Sequence, residues 1–167
     1  YAFIAAAPFI FMDQLHASKS EVGLYLGLLM AGMAVGNALA RKLIQHLPVE
    51  RLMLSGNLLS LVCVALLLLL TLTHHLGVPV LVGIMMVYTL GSGVTSPAAL
   101  TKALGVHTDL TGSAAGVYGF SQMAVGGLCT LGASLGNNPA LSAFTVLTLA
   151  CIVGQLGFRS ALRVKTA

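Results

Sequence analysis

Two short constellations in this chain carry groups able to do chemistry. Tyr88, Ser92 and Thr95 recur at i, i+4 and i+7 within an uncharged apolar run, so a helix there brings a phenol and two hydroxyls to one face. Tyr118 and Gln122, four residues apart, do the same on a second helix. Phe9 and Phe11 flank a third possibility with Phe3 and Pro8, adding aromatic surface to a segment that proline can bend. All of these hydrogen-bonding groups are neutral, and each can donate as well as accept. Such a set suits an uncharged, moderately apolar organic ligand. The plainer alternative is that each Ser or Thr satisfies the carbonyl of its own helix, and that the amides join helices. Asn37 reads as such an interhelical amide, and Tyr25 as an interface anchor.

The groups that reactions require are missing from the apolar runs. The four acids, Asp13, Glu21, Glu50 and Asp109, all border loops, so no buried carboxylate is available as a proton relay. His16, His46, His74, His75 and His107 also sit at run ends, and adjacent histidines cannot both face one metal from a regular helix. Cys63, Cys129 and Cys151 lie inside apolar stretches without a CxxC pair, as small core residues do. HExxH, GxSxG and Walker A signatures are absent. These features argue against an enzyme, a metal and a cofactor.

The elements that must position the polar face follow from composition. Of 167 residues, 57% are apolar and 7% charged, against about 25% charged in an ordinary soluble domain. Water cannot solvate such a surface, whereas a lipid bilayer can. Apolar runs near 22–40, 52–73 and 78–101 are each long enough to cross. The uncharged stretch from Leu110 to Phe158 would run about 73 Å as one helix, more than twice the hydrocarbon core of about 30 Å. It must turn, and Gly136-Asn137-Asn138-Pro139 is the turn signal, giving spans near 112–135 and 140–158. The opening run over 1–12 is too short to cross and reads as the second half of a longer helix. The expected fold is an all-α polytopic membrane protein, one six-helix half-bundle whose first helix is truncated, with 159–167 as a tail.

Charge sets the expected orientation. Arg41, Lys42, Arg51, Lys102, Arg159, Arg163 and Lys165 fall on one side of these spans and only Lys19 on the other, so the C-terminus is expected to be cytoplasmic. The net charge of +4 therefore reports topology, and no aromatic platform accompanies it to suggest nucleic acid. Small residues sort the spans further. Gly23, Gly27 and Ala31 form one i, i+4 register, Gly32, Gly36 and Ala40 a second, and Gly112, Gly116 and Gly119 recur in the fifth element. These surfaces allow close helix approach and sliding. The third and sixth elements read as greasy, nearly featureless and lipid-facing.

Three phrases carry a family resemblance: YAFIAAAPFIFMDQL, EVGLYLGLLMAGMAVGNALARKL and DLTGSAAGVYGFSQMAVGGL. The chain resembles the C-terminal half, helices seven to twelve, of a major facilitator superfamily transporter, most like the bicyclomycin/chloramphenicol-resistance branch of drug:proton antiporters. The resemblance implies two six-helix halves in a bacterial inner membrane, rocking about a midplane site and driven by the proton gradient without a cofactor. It further implies that the first and fourth elements line the path, the second and fifth form the moving interface, and the third and sixth face lipid. Gly36 and Arg41 fit a GxxxDR-like motif, but Ala40 replaces its acid. The implied partners are a small-molecule substrate, the bilayer, and a second half supplied by the N-terminal six helices or another copy. On this reading Phe9, Phe11, Tyr88, Ser92, Thr95, Tyr118 and Gln122 line the substrate path, and Pro97 is a flexible point beside them. The alternatives are a non-transporting membrane assembly module, a half-size transporter working as a dimer, and, least supported by the residues, a membrane enzyme.

Overall fold

The computed structural model describes residues 2–105 and 111–163. His107, Asp109 and Lys165, placed above at the mouths and tail, lie outside the described residues. Six α-helices carry the fold: α1 (Ala2–Phe9), α2 (Lys19–Leu43), α3 (Val49–Leu72), α4 (Val78–Leu104), α5 (Thr111–Ser134) and α6 (Pro139–Arg163), and no strand occurs among the described residues. Four of them, α2, α3, α4 and α6, are long and apolar enough to cross a membrane. The fifth, α5, equals α3 in length, and its glycines together with Tyr118, Ser121 and Gln122 dilute its apolar character.

Local chemistry explains where the helices start and stop. Ser18 caps α2 through a capping box: its hydroxyl accepts from the Glu21 amide at 3.3 Å and its own amide donates to the Glu21 carboxylate at 2.7 Å. Asn138 caps α6 by accepting from the Leu141 amide at 3.0 Å, with Pro139 next in line. Helix α3 ends at Thr73 with His74 left-handed, φ 57°. There the His75 and His74 amides reach back to the Leu70 and Thr71 carbonyls, the bonding pattern of a glycine-terminated helix. The opening segment is helical only to Phe9; Ile10–Gln14 then widens into a π-helical turn, two residues after Pro8.

Helix α4 is the structural axis, packed on α2 along one side and α3 along the other, while α6 covers α3 and α5, and α1 sits against α5 and α6. Glycines permit both α4 contacts. A Cβ on Gly93 would lie 2.6 Å from the Met33 carbonyl and 3.1 Å from the Gly36 Cα, and one on Gly91 would lie 2.8 Å from the Gly56 carbonyl. Main chains touch there, so no side chain fits. Gly32 belongs to the same α2 face, 2.7 Å from the Thr89 hydroxyl by the same construction. The second α2 register is therefore a packing seam against α4 inside the bundle, the close helix approach that its spacing predicts. A Cβ on Gly23 or Gly27, or on Gly112, Gly116 or Gly119, would meet nothing within 4 Å among the described residues.

The apolar interior divides in two along the bundle. A larger cluster, including Phe3, Ile10, Phe11, Leu29, Leu67, Leu81, Met85 and Phe144, fills the end that contains the α3–α4 and α5–α6 turns. A smaller one, Leu52, Met53 and Ala98, lies toward the opposite, basic end, where Lys102 and Glu50 pair across α4 and α3. Ala40 is fully buried at that end of α2, so an acid in its place would be buried too, while Arg41 beside it is exposed. Large apolar side chains cover the outer faces, for example Val62, Leu69, Val153 and Leu128, the surface that a hydrocarbon solvent accepts.

Candidate functional site

Between the two apolar clusters lies a cavity of about 200 Å³. Helix α4 contributes Tyr88, Ser92, Thr95 and Ser96, and α5 contributes Tyr118 and Gln122. Five of the seven residues expected on a path thus meet in one space. The i, i+4, i+7 spacing on α4 is what aims its three side chains the same way, and the neighbouring Thr89 instead turns toward Gly32 of α2. Antiparallel passage of α4 and α5 places residues in the lower half of one beside those in the lower half of the other. The Tyr118 hydroxyl confirms the register, donating to the Ser96 carbonyl at 3.3 Å.

The cavity's hydrogen bonds separate wall from ligand-facing groups. Thr95 donates to the Gly91 carbonyl of its own helix at 2.9 Å, and Ser60 donates to the Tyr88 carbonyl at 3.2 Å, so both hydroxyl protons are spent on backbone. The side chains of Tyr88, Ser92, Ser96 and Gln122 have no hydrogen-bond partner among the described residues and stay available. Among the described residues, no Asp, Glu, Lys, Arg or His lines the space. Among the described residues no group of three His, Cys, Asp or Glu could hold a metal. The site offers neutral donors and acceptors set in an apolar frame, chemistry for binding rather than for bond making.

Sequence reasoning missed the back wall. Asn57 and Ser60 of α3 line the cavity with Cys151 and Phe158 of α6. The Asn57 amide donates to the Gln155 side-chain oxygen at 2.8 Å and to the Cys151 carbonyl at 3.0 Å, joining α3 to α6. Gly154 lies beside this pair, where a Cβ would meet the Asn57 oxygen at an ordinary contact distance of 3.5 Å. Helices α3 and α6 are therefore not featureless: each keeps a greasy outer face, and each turns one amide toward the other, Asn57 half-buried and Gln155 buried. An isolated Asn or Gln inside a leucine-rich span was the available signal.

The two phenylalanines part company. Phe11 is fully buried, its ring centroid 6.4 Å from that of Phe3 and 5.2 Å from that of Tyr25. It is a packing residue at the joint of α1 and α2, which corrects its placement on the path, and Tyr25 is half-buried against it. Phe9 is 55% exposed and lines a separate cavity of about 250 Å³ formed by α1, α5 and the start of α6. Pro97 lies within α4, which remains one helix of 27 residues around it, and Thr101 donates to its carbonyl at 2.8 Å.

Comparison with known proteins agrees with this architecture. The family model described as Major Facilitator Superfamily matches residues 1–130, which takes in α1 to α4 and most of α5. No curated protein and no solved structure matches the chain. A family match over most of the length, on an all-helical bundle whose long helices suit a membrane, establishes that the chain belongs to the Major Facilitator Superfamily, a family of transporters rather than enzymes.

Proposed function

We propose that this bundle is one half of an alternating-access exporter that carries small, amphiphilic organic molecules out of the cytoplasm in exchange for protons. The observation that carries the reading is the convergence of Tyr88, Ser92, Ser96, Tyr118 and Gln122 on one uncharged cavity between two apolar clusters. Neutral groups in that setting hold a polar part of a ligand without the desolvation cost that a buried charge brings. Membership of a transporter family turns binding into carriage. The finer placement, in the bicyclomycin/chloramphenicol-resistance branch, is supported by the three phrases quoted above, and the proton as coupling ion rests on the same resemblance.

Alternating access needs two halves that rock about the site. The open registers, Gly23 with Gly27 on α2 and Gly112, Gly116 and Gly119 on α5, are available to a facing half, whereas the Gly32–Gly36 seam is already occupied by α4. Seven basic residues on one side orient the bundle with its C-terminus in the cytoplasm of a bacterial inner membrane.

The test is efflux by the full-length protein carrying Gln122→Ala or Tyr88→Ala. Loss of one ligand hydrogen bond, about 1 kcal/mol, lowers transport efficiency about fivefold for each, with protein level in the membrane unchanged. Efflux at the wild-type rate in both variants removes these residues from the path. The buried Ala40, standing where the motif's acid would be, favours a second reading as a non-transporting assembly module. Proteoliposome flux separates the two, since a module moves nothing even with its partner half.

A further inference from the structure

The second cavity differs from the first in chemistry as well as place. Its floor is built from small residues, Ala5 and Ala6 of α1, Ala133 of α5 and Gly136 of the turn, and Phe9 stands at its edge. Two hydroxyls reach it, but Thr130 donates to the Gly126 carbonyl at 2.9 Å and Ser134 to the Leu131 carbonyl at 2.8 Å, so neither has a proton left for a guest. The space is chemically apolar. A cavity of about 150 Å³ lined by Leu, Ile and Phe is known to bind benzene; at about 250 Å³ this one has room for one to two fused rings. Gln14 donates to the Asn138 side chain at 2.8 Å, tying the end of the π-helical turn to the α5–α6 turn beside Pro139, which also lines the space.

Helix α5 connects the two cavities. Gln122 faces the polar one and Thr130 the apolar one, eight residues and so about 12 Å apart along the axis. We infer that the cavity beside Phe9 is a binding subsite for the aromatic end of the carried molecule, whose polar end sits in the cavity of Tyr88 and Gln122. This rests on the transport reading above and narrows its substrate class to molecules with an aromatic end and a neutral polar end about 12 Å apart. Phe9 supplies the stacking edge, and its exposure leaves it free to move over a guest.

The chain contains no tryptophan, so Phe9→Trp installs a single fluorophore at the cavity's edge. The protein is reconstituted in phosphatidylcholine nanodiscs and titrated with 1-bromonaphthalene, a heavy-atom quencher of the right size. Val153→Trp, on the outer face of α6 with 69% exposure, reports simple partitioning into lipid. Quenching at position 9 is expected to saturate while quenching at 153 rises without saturation, and a cavity filler is expected to raise the half-saturating concentration about tenfold or more. Ala133→Leu is one filler, and Ala5→Leu, at an exposed position of the floor, is a second should the first fail to fold. Parallel, unsaturated quenching at both positions overturns the subsite. Quenching of Trp at position 9 by lipids brominated on the acyl chain, as strong as at 153 and relieved by neither filler, overturns it in favour of a lipid tail. Because the readout is binding, the subsite can fail while flux persists, or hold while flux is absent, so the two readings are judged separately.

Discussion

At the residue scale, single polar groups decide where helices begin, end and meet. The Ser18–Glu21 capping box holds the Glu21 carboxyl below the ordinary carboxylate range, chiefly through the hydrogen bond involving the Ser18 side chain and then that from the Ser18 backbone. A folded-state value below the unfolded one means the carboxylate stabilises α2 above its unfolded-state value. That contribution disappears as pH falls through the lowered folded value. The thermal stability of wild type is therefore expected to exceed that of Glu21→Gln near neutral pH, with the gap closing on acidification. A gap that stays constant with pH contradicts the assignment. The same scale shows what one sequence can disclose. Tyr88, Ser92 and Thr95 were legible because their spacing is a helical face in itself. Asn57, between Ser55 and Ser60 at the start of a leucine-rich span, acquires its meaning only from Gln155, ninety-eight positions away.

At the element scale, glycine has two roles that composition does not distinguish. Gly93 and Gly36 let α4 and α2 touch main chain to main chain, while Gly23 and Gly27 face open space. Gly93→Leu is expected to lower stability by about 2–4 kcal/mol, the order of a severe packing clash, read as a drop in melting temperature in detergent. Gly27→Ala is expected to leave the melting temperature unchanged or to raise it by about 2–4 °C, since its added methyl meets nothing and alanine favours a helix. Equal effects at the two positions would show that the registers are equivalent after all. Both registers repeat every four residues in sequence, and only the packed bundle shows which of them α4 fills. The π-helical turn after Pro8 was likewise invisible to the hydropathy pattern, which saw one apolar run over 1–12; Phe11 within it packs inward while Phe9, two residues earlier, stays at a cavity edge.

At the scale of the whole molecule, the bundle places Arg41, Lys42, Arg51, Lys102 and Arg159 at one end and the Asn138 and His74 turns at the other. The proposed orientation, argued from charge, has the first end facing the cytoplasm. With Cys63, Cys129 and Cys151 replaced, Asn137→Cys is expected to react with a membrane-impermeant maleimide on intact cells, and Gln45→Cys only after permeabilisation. The reverse pattern would overturn the proposed orientation.

The sequence alone determined that this chain is a membrane bundle of helices with a neutral hydrogen-bonding face, because length, apolarity, charge placement and helical spacing are local properties that each segment carries with it. Family membership was readable for the same reason, from short phrases within single elements. Tertiary structure decided which faces meet: that Phe11 packs and Phe9 does not, that α3 and α6 close the polar cavity through Asn57 and Gln155, and that one glycine register is a seam and the other a free surface. Those outcomes depend on pairs of residues far apart in the chain, and the complementarity of two surfaces exists only once both have been brought together.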